Sequence, residues 1–313
     1  MNLQRICACA GFSVALSASA AMADFPDDRP LTIVVPFGAG GSTDAVARFL
    51  APELEQRLGQ SVVVRNETGA GGTIGSASVA ASDADGYTLG YIPVGPLATQ
   101  PHLRRLPYGP EDFDYVCRLS NSPNVLFAQA GGDYSSVDDV VSAARQAPGE
   151  LVYVAVPGGM PHLSMIGLNE LYGIEMKRIT GDTSAAAKHI SGGVAQFHSG
   201  PASTLKQFDL APLAVFGDQR IPTLPEVPTL AELGHPLEFS TWFGLVVAKG
   251  TPEPILSTLE EACREASESE SFHQHLVQLD TPIDFLGSQD YAQFVIDQYE
   301  SLGELLSDAG LVR

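Results

Sequence analysis

The sequence predicts an α/β protein built on parallel sheets. Short apolar, strand-like runs alternate with segments of helical period, and glycine-rich loops stand at the strand-to-helix transitions. With 313 residues, 44% of them hydrophobic, the chain is long enough for one large or two modest domains.

The elements follow in order. After a polar lead, DFPDDRP, the run LTIVVPF is an apolar strand and FGAGGSTD a glycine loop. The segment AVARFLAPELEQRLG then places Val46, Phe49, Leu50, Leu54 and Leu58 on one helical stripe and stops at Gly59. A second unit repeats the plan with SVVVRNE as strand, TGAGGTIG as loop and SASVAASDAD as a small-residue helix, and YTLGYIPVG is a third strand. From Phe113 to Ala130 the chain is apolar without helical period, so it reads as extended, and the organisation starts afresh beyond it.

In the second half, SSVDDVVSAARQAP begins at a Ser/Asp cap and ends before Gly149, which predicts a helix. LVYVAVPGG is a strand running into a third glycine loop, followed by the helix MPHLSMIGLNELYG. EMKRITG is a strand, DTSAAAKHISGG a helix, VAQFHSGPAS a strand and loop, and APLAVFGD another strand. Three prolines within seven residues make RIPTLPEVPTLAELG a surface connection. Past TWFGLVVAKGTP come two helical segments, EPILSTLEEACREASES and SQDYAQFVIDQYESLGELLSDAG.

The charge balance excludes some partners. Against 37 Asp and Glu stand 17 Lys and Arg, a formal charge of −20, which opposes a sequence-independent grip on nucleic acid or anionic lipid. Any bound anion must be held by local donors. The first 23 residues read as an export leader: Arg5 is a positive start, Ile6 to Leu16 is apolar, and Ala21-Met22-Ala23 is a cleavage site placing the cut after Ala23. The apolar stretch is shorter than the roughly 20 residues that span a bilayer. Cys117 and Cys263 remain beyond it, neither with a neighbour at metal-ligand spacing. Export permits a disulfide, but nothing in the spacing pairs them, and two separate buried thiols are the expectation.

The glycine loops GAGGSTD, TGAGGTIG and PGGMPHL carry the chemistry. In open α/β sheets ligands sit beyond the carboxyl ends of the strands, where helix N-termini present unpaired N–H groups. Glycine allows positive φ and close backbone approach, so amides and hydroxyls can hold a carboxylate without Lys or Arg. The first loop has Ser42-Thr43 where a dinucleotide fingerprint needs its third glycine, and no G-K-[ST] follows any loop, so neither a nucleotide cofactor nor a P-loop is expected. Tight turn-making alone is the competing use of these glycines.

These loops and their order resemble the solute-binding receptors of tripartite tricarboxylate transporters, the Bug family. The matching stretches are RPLTIVVPFGAGGSTDAVAR, LGQSVVVRNETGAGGTIGSASVAASDADGYTL, the Leu106-Pro107-Tyr108 turn with its DF, APGELVYVAVPGG followed by His162-Leu163, LPEVPTLAELG, TWFGLVVAKGTP and DAGLVR. They span nearly the whole chain after the leader.

The resemblance implies a type II periplasmic-binding-protein fold, with two α/β domains joined by two crossover strands around a ligand cleft. The stretch near Val116 to Val125 would cross outward and TWFGLVV would return. Residues 1–23 would be the leader, 24–121 with 243–313 the first domain, and 122–242 the second. The C-terminal helices would pack on the first domain. The function implied is that of a periplasmic receptor, not an enzyme and without cofactor or metal. It would act as a monomer, capturing a small organic carboxylate for membrane permease subunits.

Carried over by motif, the first domain would contact the ligand through Gly40, Gly41, Ser42 and Asp44, and through Gly71, Gly72 and Thr73. The second would use Gly158, Gly159 and His162. Asp44 could instead cap its helix, and His162 could be a packing residue. The chain departs from the family at Ile179-Thr180-Gly181, where Tyr-Lys-Gly is usual, and at Gln196, where an acid is common. Thr183, His198 and Ser199 are therefore the candidates for setting ligand identity, with Phe37 as an apolar wall. A sensory receptor remains an alternative. A hydrolase would need a base and an acid beside Ser42 or Ser199, and no G-x-S-x-G elbow or H-E-x-x-H motif occurs.

Overall fold

The computed structural model describes residues 25–40, 42–181, 183–206, 208–279 and 281–312. The leader predicted over residues 1–23 lies outside them.

Strand β1 (Leu31–Val35) is buried along almost its whole length, as its unbroken apolar run requires for an inner strand covered on both faces. It pairs in parallel with β2 (Val62–Asn66) on one side and β3 (Thr88–Pro93) on the other. Helix α1 (Ser42–Leu58) joins β1 to β2, burying Val46, Leu50, Leu54 and Leu58. Its stripe partner Phe49 is partly buried, with its ring stacked 4.0 Å from that of His275. Helix α2 (Thr73–Ala80) joins β2 to β3 and begins before the predicted small-residue segment. A π-helical turn over Gly95–Thr99 and the short α3 (Gln100–Leu103) follow β3, where no helix was anticipated.

Strand β4 (Phe113–Gln129) is the extended stretch whose lack of helical period marked it in the sequence. The second half then runs through α4 (Val137–Gln146), β5 (Val152–Val154), α5 (Met160–Tyr172), β6 (Lys177–Ile179), α6 (Thr183–Ser191), β7 (Phe197–Pro201) and β8 (Leu210–Phe216). The Ser136 hydroxyl accepts from the Asp139 amide at the start of α4, the cap its sequence announces. The Pro-rich segment is irregular, and β9 (Ser240–Ala248) returns from it. The chain ends with α7 (Glu253–Ser267), α8 (Glu270–Gln278), β10 (Ile283–Leu286) and α9 (Ser288–Asp308).

The strand order is β2-β1-β3-β9-β4-β7-β5-β6, with β8 and β10 added on β4. Parallel pairing holds in the two triplets β2-β1-β3 and β7-β5-β6. Between them β4 and β9 lie antiparallel, from Phe113 opposite Ala248 to Pro123 opposite Ser240, so the sheet is mixed rather than parallel throughout. From Asn124 onward β4 changes partners, to β7 and β8. One strand thus serves both halves, and its partner exchange falls at Pro123-Asn124. Asn124 is fully buried, donates its amide to Phe239 O at 2.8 Å and receives the Thr241 hydroxyl at 3.4 Å.

Helices α1, α7 and α8 cover one face of the first triplet, over Ile33, Val35 and Leu89. On its other face, Tyr291 and Val295 of α9 share a core with Val34 and Trp242, so both C-terminal helical segments pack back on this half. The second triplet lies between α4 and α5 on one side and α6 on the other. Cys117 of β4 and Cys263 of α7 are joined by a disulfide, which corrects the expectation of separate thiols. They stand 146 residues apart in sequence with Cα atoms 6.6 Å apart, because the buried stripe of α7, which includes Leu259, Cys263 and Ala266, packs on the β4 face carrying Cys117. Sequence spacing held no trace of that packing.

Candidate functional site

The first glycine loop links β1 to α1. Gly38, Ala39 and Gly40 are exposed, and Gly40 has φ 84°, a left-handed conformation that a side chain would strain. Asp44, on the first turn of α1, is only 2% exposed and turns back on the loop. Its Oδ2 accepts from the Gly40 amide at 2.8 Å and from Arg48 Nε at 2.9 Å, and its Oδ1 accepts from Asn66 Nδ2 at 2.8 Å. The Arg48 bond, aided by Gly40 and Asn66 and opposed by burial, lowers its pKa to about 2. Both oxygens being engaged, Asp44 braces the loop from inside. Gly41 lies outside the described residues, and Ser42 begins the helix.

The second loop keeps Gly69, Ala70, Gly71 and Gly72 all at positive φ before α2 starts at Thr73. A methyl on Gly72 would stand 2.8 Å from Pro96 and 2.9 Å from the Phe37 ring, so the first loop, the second loop and the π-helical turn close on one another there. Phe37 is half-buried and leans on the α1 core as well. Thr73 is 5% exposed, and its hydroxyl is spent on the Ala70 carbonyl at 3.1 Å. Gly71 faces the side-chain amide of Gln100, whose Oε1 is buried without a hydrogen-bond partner.

The third loop leads from β5 into α5. Gly158 has φ 70°, and its amide donates to His162 Nδ1 at 3.0 Å. That bond leaves the imidazole proton on Nε2. Burial, with the Arg178 charge adding to it, lowers the His162 pKa to about 4, so the ring is neutral at pH 7 and offers an N–H donor. Gly159 is the N-cap of α5. A methyl on Gly158 would collide with Leu103 of α3, which means that this loop of the second half packs directly on the first half, next to the residues that support the second loop.

The three specificity candidates separate. His198 is 1% exposed; its Nδ1 donates to Val154 O at 2.9 Å, and its Nε2 lies 3.3 Å from the Thr183 hydroxyl at the start of α6, so these two meet. Ser199 instead accepts from Ser164 Oγ at 2.7 Å, and Asn124 Nδ2 lies 3.5 Å from that same Ser164 oxygen. Ser199 therefore belongs to a buried hydroxyl network tying α5 and β7 to the partner-exchange point of β4. Gln196, at the departure noted in the sequence, donates its own amide to Val152 O and accepts the Val152 amide at 2.8 Å on its side chain, which joins the amino ends of the neighbouring strands β5 and β7.

Leu103, Gln100 and Arg178 also border the loops, and sequence reasoning passed over them. Leu103 and Gln100 lie in a segment with no pattern of its own, whereas Arg178 carried a signal, a basic residue near the carboxyl end of a strand. The amides of Gly40, Gly72, Gly158 and Gly159 donate within the protein, so the loops offer the Gly71 amide, two helix starts and a neutral imidazole, and their only carboxylate among the described residues is fully engaged. Such a set suits a small anion. A surface trough of about 1060 Å³ around Arg105, Tyr108 and Tyr299 contains none of the predicted residues. Among the described residues no helix is long and apolar enough to cross a membrane, and no group of His, Cys, Asp and Glu could hold a metal.

Two parallel halves linked by β4 and β9, with the third glycine loop seated on Leu103 of α3, define a two-domain binding protein. The chain belongs to the tripartite tricarboxylate transporter receptor family, whose model matches residues 46–311. It is similar to protein BugT of Bordetella pertussis, 36% identical over 288 residues covering 87% of each chain. A protein of Cupriavidus necator, described by its position in a gbd 5' region, is 30% identical over 98% of this chain and 95% of its own. Among solved structures, R. palustris Rpa4515 with adipate superposes with a TM-score of 0.79 at 31% identity, covering 91% of this chain and 99% of that one. MatC from Rhodopseudomonas palustris with bound malate gives a TM-score of 0.75 at 27% identity, covering 90% and 99%. Members of the family are periplasmic binding proteins.

Proposed function

We propose that this chain is exported, cut after Ala23, and captures a small organic carboxylate between its two halves for delivery to the permease subunits of a tripartite transporter. The halves are taken as residues 24–121 with 243–313, and residues 122–242. The observation that carries this reading is the seat of Gly158 on Leu103, which places the third loop, with its neutral His162 donor, against the segment that backs Gly71 and Gly72. Relatives solved with adipate and malate support the carboxylate class.

In this account the carboxylate accepts from the Gly71 amide and from His162 Nε2, while Gly72 and Gly159, whose amides donate to Gly69 O and Val156 O, together with Gly40 and Asp44 hold the loops in shape. Donors from both halves are satisfied together only when the halves close, so ligand binding favours the closed arrangement. The protein releases what it binds unchanged and works as a monomer. Support for a receptor rather than a hydrolase comes from Ser199, whose hydroxyl is bonded to Ser164 and has no base behind it. A thermal-shift screen of the mature protein against mono-, di- and tricarboxylates tests this. A raised melting temperature with one group of acids is the expected result; no shift across the panel, or turnover of the bound acid, contradicts it.

A further inference from the structure

The protein is strongly acidic, and its cations are mostly neutralised in place: nine Lys and Arg side chains of the described residues are ion-paired with an Asp or Glu. Arg178 is an exception. It sits in the middle of β6 directly opposite Tyr153 of β5, one residue before the carboxyl ends of both strands. The preceding residue, Lys177, is paired with Glu150, as strand alternation allows. Arg178 takes the other face, the one shared with Tyr153 and His162.

Its guanidinium is held but not neutralised. Nη1 donates to the Ala155 carbonyl at 3.3 Å and to the Thr180 hydroxyl at 2.9 Å. Both acceptors are uncharged, and among the described residues no carboxylate pairs with Arg178. Among the described residues Nε and Nη2 have no acceptor, and the side chain is only partly buried, so these donors are open to a ligand. Ala155 lies three residues before Gly158, and Thr180 three before Thr183, so one Nη1 bond ties the guanidinium to each of the two loops that border the second half of the cleft. Immobilising the guanidinium in this way removes much of the entropy that an exposed arginine would lose on binding an anion.

We propose that Arg178 is a ligand-binding residue that takes a second anionic group of the ligand, the first being held by the Gly71 amide and His162. The inference rests on the carboxylate-receptor reading and deepens it. A monocarboxylate leaves the guanidinium unpaired, and a dicarboxylate of matching length satisfies both ends. The charge comes from the side chain preceding the Ile179-Thr180-Gly181 departure, so selectivity for the second group is a property of this chain's own loop.

The test is a ratio of affinities. Straight-chain dicarboxylates from succinate to suberate and their monomethyl esters, which keep the length and one charge, are titrated calorimetrically into the wild-type protein, Arg178→Gln and Arg178→Lys. For the best-fitting length the wild type should favour the diacid on the order of tenfold over its ester. Arg178→Gln should bring that ratio close to one and Arg178→Lys should retain part of it. Arg145→Gln, an exposed arginine on α4 bonded to the Tyr172 carbonyl, should keep the wild-type ratio. A wild-type protein that binds carboxylates without preferring the diacid, or an Arg178→Gln protein that keeps the full preference, overturns the role of Arg178 and leaves the receptor reading standing. Absence of binding by any of these acids and by a wider carboxylate panel would remove the receptor reading itself.

Discussion

His162 Nδ1 accepts the amide proton of Gly158, 3.0 Å away, so the buried imidazole is fixed in one tautomer by the backbone of its own loop. This single bond sets both the shape of the third loop and the donor it presents. It also makes His162 a liability in acid, because a proton on Nδ1 would break it.

The sign of that liability follows from the lowered pKa. The unfolded chain takes up a proton on this histidine near pH 6.5, whereas the folded chain resists until about pH 4. Stability contributed by keeping His162 neutral is thus complete above pH 6.5 and is lost as the pH falls towards 4, by on the order of 3 kcal/mol. Urea titrations at pH 7 and pH 4.5 should show this loss in the wild type and a smaller one in His162→Gln.

Asp44 gives a second, lower window. Its folded pKa of about 2 lies below that of an unfolded aspartate, so its contribution is present above about pH 4 and disappears between pH 4 and pH 2. Asp44→Ala removes the acceptor for Gly40, Arg48 and Asn66 together. It should cost about 2 kcal/mol in denaturant unfolding at pH 7 and weaken carboxylate binding by loosening the first loop.

Two glycines with similar backbone angles should respond differently to alanine. Gly40 has φ 84° with open space around it, so Gly40→Ala meets backbone strain alone, about 1 kcal/mol. Gly72 has φ 91°, and its added methyl also presses on Pro96 and the Phe37 ring, so Gly72→Ala should be the more destabilising by at least about 1 kcal/mol. It should also shift the second loop enough to abolish ligand-induced stabilisation. Thermal unfolding of both variants with and without carboxylate reads this difference.

The disulfide between Cys117 and Cys263 fastens α7 to β4 in the half that does not contain the third loop. Closing so long a chain segment constrains the unfolded state, and the Cys117→Ala/Cys263→Ala double variant should lose about 2–5 kcal/mol of stability. Both sulfurs are fully buried, so a reducing agent should act only once the protein begins to unfold.

Much of this architecture was legible because strand, glycine loop and helix recur with clear punctuation. The stripe Val46, Leu50, Leu54 and Leu58 named the buried face of α1, and Gly40, Gly71, Gly72 and Gly158 all proved to need positive φ. The readings that failed concern what the chain does at a distance. The outward and return crossovers implied by the resemblance are β4 and β9, but the meeting of Cys117 with Cys263 and the short β10 depend on packing between segments far apart in sequence. Helix α8 escaped the sequence reading, although Ser269 caps it and Phe272 and Leu276 anchor it. At the site, Ser199 looked like a cleft hydroxyl but accepts from Ser164, and Arg178, which sequence reasoning passed over, has no counter-ion among the described residues. Whether a polar side chain is satisfied inside the protein or left for a ligand is set by its three-dimensional neighbours, which sequence spacing does not carry.

The central claim is that one carboxylate is gripped by donors from both halves, the Gly71 amide and His162 Nε2, and so orders both loops. Amide hydrogen exchange followed residue by residue, with and without a carboxylate that raises the melting temperature, tests it most directly. Exchange should slow together at Gly71 and Gly72 in the second loop and at Gly158 and Gly159 in the third. Protection confined to one half, or binding that leaves all four amides unchanged, would contradict it.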